Sequence, residues 1–161
     1  MTVRRVTIAA PEGLSTVPLI YGIEHAECLH ADVLLSSPSE CADNFVSGKA
    51  DIALLPIGEL TGIKDADIVS SYCVGYNSAS GCCVVAGDVP ADKIMRIYHT
   101  SDALTESYYA RILAVKKWGA RMAVECVDVL PDASNMKEGD ACIFTGMDAK
   151  SAAAGFSHVY D

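Results

Sequence analysis

The chain has 161 residues, 51% of them hydrophobic and 20% charged, so it can build a core and is not a disordered tail. That length suits one domain or two small lobes. Twelve basic side chains against 21 acidic ones leave a net charge of −9, which excludes nucleic-acid binding through a basic surface and attraction to an anionic membrane leaflet.

In chain order, Val3–Ala9 reads as a strand rich in β-branched residues and Leu14–His25 as a helix. Asp32–Leu35 is a short strand, followed by a helix over Pro38–Ser47 that Gly48 closes at the C′ position. Asp51–Leu55 is a third, apolar strand broken by Pro56. Ile68–Val74 and Gly81–Ala86 are two more strands, joined by the polar link Gly75-Tyr76-Asn77-Ser78-Ala79-Ser80. Lys93–His99 is a strand and Asp102–Trp118 the longest helix. Met122–Val129 and Ala141–Thr145 are strands with a loop or short helix between them, and a short helix from Asp148 and a strand near His158–Tyr160 finish the chain.

Helices alternating with strands that are apolar on both faces predict an α/β fold with mostly parallel sheets covered on two sides. Near Tyr72–Gly87 two strands follow each other without a helix. This marks a crossing from one α/β lobe, residues 1–75, to a second, residues 76–156, with 157–161 returning toward the first and the polar link lying in the cleft. The seven cysteines are odd in number, and their spacings fit neither a zinc pattern nor a disulfide framework. In apolar runs such as Gly81–Val85 and Asp140–Phe144 they act as small hydrophobes, and free buried thiols favour a reducing compartment. Arg4 and Arg5 precede only Val6–Ala10 before Pro11, too short a core for a secretory signal, and no run approaches the ~18 apolar residues of a membrane span. The expectation is a soluble, cytoplasmic protein.

Three times a strand ends, Ser or Thr follows, and a helix begins: at Ser15 and Thr16, at Thr100, Ser101 and Asp102, and at Thr145-Gly146-Met147-Asp148. In an open parallel sheet the carboxyl ends of the strands line the ligand crevice, and a helix start there offers unpaired N–H groups and a positive dipole end. Such junctions suit a small anionic carboxylate. Ser, Thr and Asp are equally the ordinary N-cap residues, so each junction also reads as a plain cap. Glu59, just past Pro56, is either a catalytic or hinge-orienting carboxylate or a solvated loop residue. His25, His30, His99 and His158 share no ligand spacing with Cys or acidic residues, so no metal is expected. His99 alone stands near the crevice, as a general base or as a structural histidine. Cys82 and Cys83 read as core residues on opposite faces of a strand rather than a redox pair.

In order, Leu14-Ser15-Thr16-Val17-Pro18-Leu19-Ile20-Tyr21-Gly22, Pro38-Ser39 with Ala42-Asp43, Gly48-Lys49-Ala50-Asp51-Ile52-Ala53-Leu54-Leu55-Pro56, Glu59, Thr100–Thr105 with Arg111-Ile112-Leu113, and Thr145-Gly146-Met147-Asp148 carry a resemblance. The chain resembles the menaquinone-biosynthesis family of periplasmic-binding-protein-like enzymes, chiefly chorismate dehydratase of the futalosine pathway. The likeness implies a type II periplasmic-binding-protein fold and a lyase that removes water from chorismate to give 3-(1-carboxyvinyloxy)benzoate without a cofactor. It implies catalytic roles for Ser15 and Glu59. Around the substrate it implies Thr16, Pro56, Ser78, Ser80, Gly81, Cys82, Thr100, Ser101, Thr105, Thr145 and Gly146. The family usually carries Asn at the position of Ser15, a Gly-Pro element where this chain has Ser78-Ala79-Ser80-Gly81, and Ser in place of Ile57. The alternative is a noncatalytic solute-binding protein for a small carboxylate. Related enzymes continue past this length to complete the first lobe, so an associating species, a homodimer covering an exposed apolar face, is expected.

Overall fold

Ala9 and Ala10 sit back to back in β1 (Val6–Pro11), and both are buried. Small side chains on opposite faces of a strand let neighbouring layers approach it closely from both sides. Strands β2 (Ala31–Ser36) and β3 (Ile52–Ala53) pair with β1 in parallel, in the order β2-β1-β3. Helix α1 (Val17–Glu24) joins β1 to β2, and α2 (Pro38–Val46) joins β2 to β3. The small core packs Cys41 of α2 against Ala9 and Ala50, flanked by Ala53 and Leu55. Local chemistry sets the start of α2. The Ser37 hydroxyl accepts from the Glu40 N–H, the Glu40 carboxylate accepts from the Ser37 N–H, and Pro38 occupies the first turn, where its missing N–H costs nothing.

The computed structural model describes residues 5–75 and 78–161, and the chain divides into two compact units, Met1–Gly75 and Tyr76–Asp161. The second unit holds β4 (Cys83–Gly87), β5 (Arg96–His99), β6 (Ala123–Cys126), β7 (Asp140–Thr145) and β8 (His158–Tyr160) in one sheet of order β6-β5-β7-β4-β8. Strand alternation sorts the two faces. Val85, Ile97, Ala141 and Ile143 pack with Ala103 and Ala110, on and beside α3 (Leu104–Leu113), and with Trp118. Val84 and Ala86 pack instead with Ala149 and Ala153 at α4 (Ala149–Ala152) and with the tilted pair Phe144–Phe156. Among the described residues no helix is long and apolar enough to cross a membrane.

Several expectations need correction. The second sheet is mixed: β5 runs parallel to β6 and β7, but β4 is antiparallel to β7 and β8. The terminal strand, expected to return toward the first lobe, pairs with β4 in the second sheet and with no strand of the first. Ile68–Val74 forms no strand, and Ile68 and Tyr72 are 80% and 82% exposed. Its β-branched and aromatic composition suits a pleated surface, but no strand of the first sheet pairs with it, and without a ladder that composition decides nothing. Pro90 opens a 3-10 turn over Ala91–Lys93, which delays β5 to Arg96. The long helix is wound three ways: a 3-10 turn at Ser101–Ala103, then α3, then a π-turn over Ala114–Trp118 that Gly119 ends at φ 68°. Of the seven free thiols, Cys41 and Cys142 are buried while Cys28, Cys73 and Cys126 are exposed. The strand expected from Val3 and the polar link through Tyr76 and Asn77 fall partly outside the described residues.

Two substitutions test this packing. A Cβ at Gly87 would sit 2.9 Å from the Asp140 carbonyl oxygen and 3.1 Å from Ala141 Cβ, main chain and stem that cannot swing aside. Gly87→Ala is expected to lower stability by about 1–3 kcal/mol, read as a lower urea midpoint. Ser37→Ala, which removes the cap of α2, is expected to cost about 1 kcal/mol in the same measurement.

Candidate functional site

Because β1, β2 and β3 are all parallel, the segments leaving Pro11, Ser36 and Ala53 emerge at one edge of the first sheet. That carboxyl edge is where open α/β sheets hold ligands. Thr16 is buried there, and its hydroxyl hydrogen is shared between the carbonyls of Pro11 at 2.8 Å and Gly13 at 2.7 Å. It therefore pins the β1–α1 loop and does not cap α1, whose first turn has no side-chain cap and no acidic residue. Ser15 stands exposed at this start. The positive end of α1 is thus left without a neutralising group of its own helix. Helix α2 contrasts with it: two hydrogen bonds from Ser37 hold the Glu40 carboxyl below its usual range.

After β3 the chain passes Pro56, whose carbonyl accepts the Glu59 N–H at 3.0 Å and opens a 3-10 turn, Glu59–Gly62. Glu59 is half-buried. Burial first, and then the Asp43 carboxylate of α2, push its pKa above the ordinary carboxylate value. Glu59 is thus only partly solvated, and it makes no ion pair among the described residues.

In the second unit β5 and β7 end, and β4 begins, at a common edge. The register Tyr98↔Cys142 sets His99 beside Ile143, and Cys83 pairs with Thr145. His99, Thr100 and Ser101 therefore share that edge with Thr145, Gly146, Cys82 and Cys83. Thr100 and Asp148 make no side-chain cap to the turns that follow them. At the neighbouring turn the Ser80 hydroxyl accepts the Cys82 N–H at 3.1 Å. Gly81, at φ +69°, donates its N–H to the Asp161 carboxylate at 2.9 Å, and the Gly146 N–H reaches the Cys82 carbonyl at 2.9 Å. Thr105 is half-buried in the first turn of α3, and Ser78 is exposed. Burial, followed by Glu106, Asp161 and Cys82, pushes the Cys83 thiol up to about 11, so it stays neutral.

The sequence-derived residues thus fall into two sets. Ser15, Thr16, Pro56 and Glu59 belong to the first unit, and Ser78, Ser80, Gly81, Cys82, Thr100, Ser101, Thr105, Thr145 and Gly146 to the second. Two residues were missed. Asp43 faces Glu59 from a helix, and Asp161 fixes Gly81 from 80 positions away. Neither carries a local sequence signal, because each acquires its role only through folding.

Two solved structures are similar to this chain. The ATP phosphoribosyl transferase (HisG:HisZ) complex from Thermotoga maritima is similar at a TM-score of 0.51 and 11% identity, over 96% of this chain and 80% of that one. HinK, a LysR family transcriptional regulator from Pseudomonas aeruginosa, aligns at a TM-score of 0.42 and 11% identity, over 97% of this chain and 56% of its own length. The first likeness concerns the α/β fold alone, and the second carries no argument. No curated protein matches the chain significantly. Residues 6–161 match the family model VitK2_biosynth, described as menaquinone biosynthesis. With nearly its whole length covered, the chain belongs to the menaquinone-biosynthesis family.

Proposed function

We propose that this member of the menaquinone-biosynthesis family is a chorismate dehydratase, a lyase that removes water from chorismate to give 3-(1-carboxyvinyloxy)benzoate. Each unit is read as one lobe of a type II periplasmic-binding-protein fold. The observation that carries the proposal is the start of α1: a helix N-terminus at a parallel sheet's carboxyl edge, with an exposed hydroxyl at Ser15 and no capping or acidic side chain to neutralise it. A net charge of −9 repels a dicarboxylate at long range, so local amides and hydroxyls must hold it.

The chemistry asks little of the protein. Loss of water makes the ring aromatic, and that supplies the driving force. Orientation and assistance to one proton and one hydroxide are what remain. Ser15 is assigned to a substrate carboxylate. Glu59, whose pKa burial and the Asp43 carboxylate raise above the ordinary carboxyl value, is assigned a catalytic role beside Ser15. Thr100, Ser101, Thr145 and the Ser80–Cys82 turn are the second unit's assigned contacts; Thr16 contributes by holding the loop.

Incubation of the purified protein with chorismate, followed by chromatography, is expected to show the aromatic ether acid accumulating as chorismate disappears. A chorismate-dependent rise in melting temperature without product would favour a noncatalytic carboxylate binder. Neither effect would overturn both readings. Ser15→Ala is expected to lower kcat/KM about tenfold to a hundredfold, the range for a hydrogen bond to a charged group, and Thr100→Ala to lower it further.

Glu59 gives a separate pH test. Its folded-state pKa lies above the unfolded value, so its stabilising proton is present at low pH and lost as pH rises through the folded pKa. Gln does not titrate. The melting temperature of Glu59→Gln relative to wild type is therefore expected to be more favourable at pH 7 than at pH 4; an equal difference at both would contradict the assignment.

A further inference from the structure

We propose that His99 is a catalytic residue of this protein, the base that takes the proton from the substrate ring; the inference rests on the dehydratase reading and adds to it the group that moves the proton. His99 is the last residue of β5, at the carboxyl edge of the second sheet. It follows Ile97 on the α3-facing side by strand alternation and is only 3% exposed. On that same face Thr145 of β7 pairs with Cys83 of β4, next to the strand that flanks His99.

The ring's tautomer follows from its partner. Nδ1 lies 2.8 Å from the Thr100 carbonyl oxygen. A carbonyl only accepts, so in the neutral ring Nδ1 carries the hydrogen and the lone pair sits on Nε2. Nε2 has no hydrogen-bond partner among the described residues, and it is not among their sealed, unpartnered side-chain atoms. A histidine serving only to fill the core would have no need of one nitrogen held by the main chain and the other left without a partner among the described residues at the end of its strand. One nitrogen is locked by the main chain, and the other is left for a substrate proton. The Cys83 thiol on the same face is no competitor, since its own pKa keeps it protonated.

In the dehydration, the ring C–H bond adjacent to the alcohol carbon breaks and its proton passes to Nε2. The electron pair becomes the new ring double bond as the carbon–oxygen bond breaks. The departing hydroxide then takes the proton from the imidazolium and leaves as water, which returns His99 to its starting tautomer. No oxidant, metal or second reactant enters the balance.

His99→Asn places an amide nitrogen near the position of Nδ1 and so retains a donor for the Thr100 carbonyl, while Nε2 is deleted. With chorismate as substrate, kcat is expected to fall about 100-fold or more, with KM within about threefold of wild type. Added imidazole is expected to restore part of the rate. A folded His99→Asn protein with kcat within threefold of wild type would overturn the assignment and leave the dehydratase reading standing. If the variant does not fold, wild-type protein is treated with diethyl pyrocarbonate and its adducts mapped by mass spectrometry. Loss of turnover that tracks the His99 adduct, prevented by the aromatic product, supports the proposal. Turnover that survives modification of His99, or a His99 that does not react, overturns it. A wild-type protein without turnover removes the dehydratase reading and this assignment together, an outcome recognisable before any variant is made.

Discussion

Parallel strand pairing is the constraint on which both candidate surfaces depend. When β2 and β3 run alongside β1 in the same direction, every connection out of the sheet must leave at one edge and return to the other. The β1–α1 loop and the turn that begins at Glu59 are therefore gathered at a single rim without any side-chain contact having to specify it. The second sheet reaches a similar result by a mixed route. There β5 and β7 finish where antiparallel β4 starts, so the Ser80–Cys82 turn enters the rim from the opposite chain direction.

Capping chemistry then divides the helix starts into two kinds. Ser37 and Glu40 close a reciprocal capping box on the first turn of α2. The first turn of α1 is open because Thr16, the residue best placed to cap it, turns its hydroxyl back toward Pro11 and Gly13. A hydroxyl engaged by two carbonyls stiffens the loop, and no side chain caps the turn, in which Pro18 lacks an N–H and the Leu19 and Ile20 amides bond the Thr16 carbonyl. For a strongly acidic chain this matters, because the field that repels an anion at a distance is offset only where such local dipoles are exposed.

The legibility of the sequence followed the range of the forces involved. Helix α2 was plain from Pro38 and the closing Gly48, and β1, β5 and β7 from compact apolar runs, since those signals are local. Ile68–Val74 has as strong a strand composition but no pairing edge, and pairing is not written in seven residues. The junction hydroxyls were visible, yet whether they capped a helix was not, because the answer lay in the direction Thr16 turned and in the absence of a bond from Thr100. Glu59 could be singled out as a carboxylate after a strand. What perturbs it, Asp43 on a neighbouring helix, became visible only with the chain folded.

The C-terminal strand has a practical corollary. Tyr160 packs near Trp118 and its hydroxyl accepts the Ala91 N–H, so β8 is anchored firmly and Asp161 is delivered to the Gly81 amide. Any polypeptide joined after Asp161, whether natural sequence or an affinity handle, therefore sets out from beside the Ser80–Cys82 turn. Purification tags and fluorescent fusions placed there would crowd that rim.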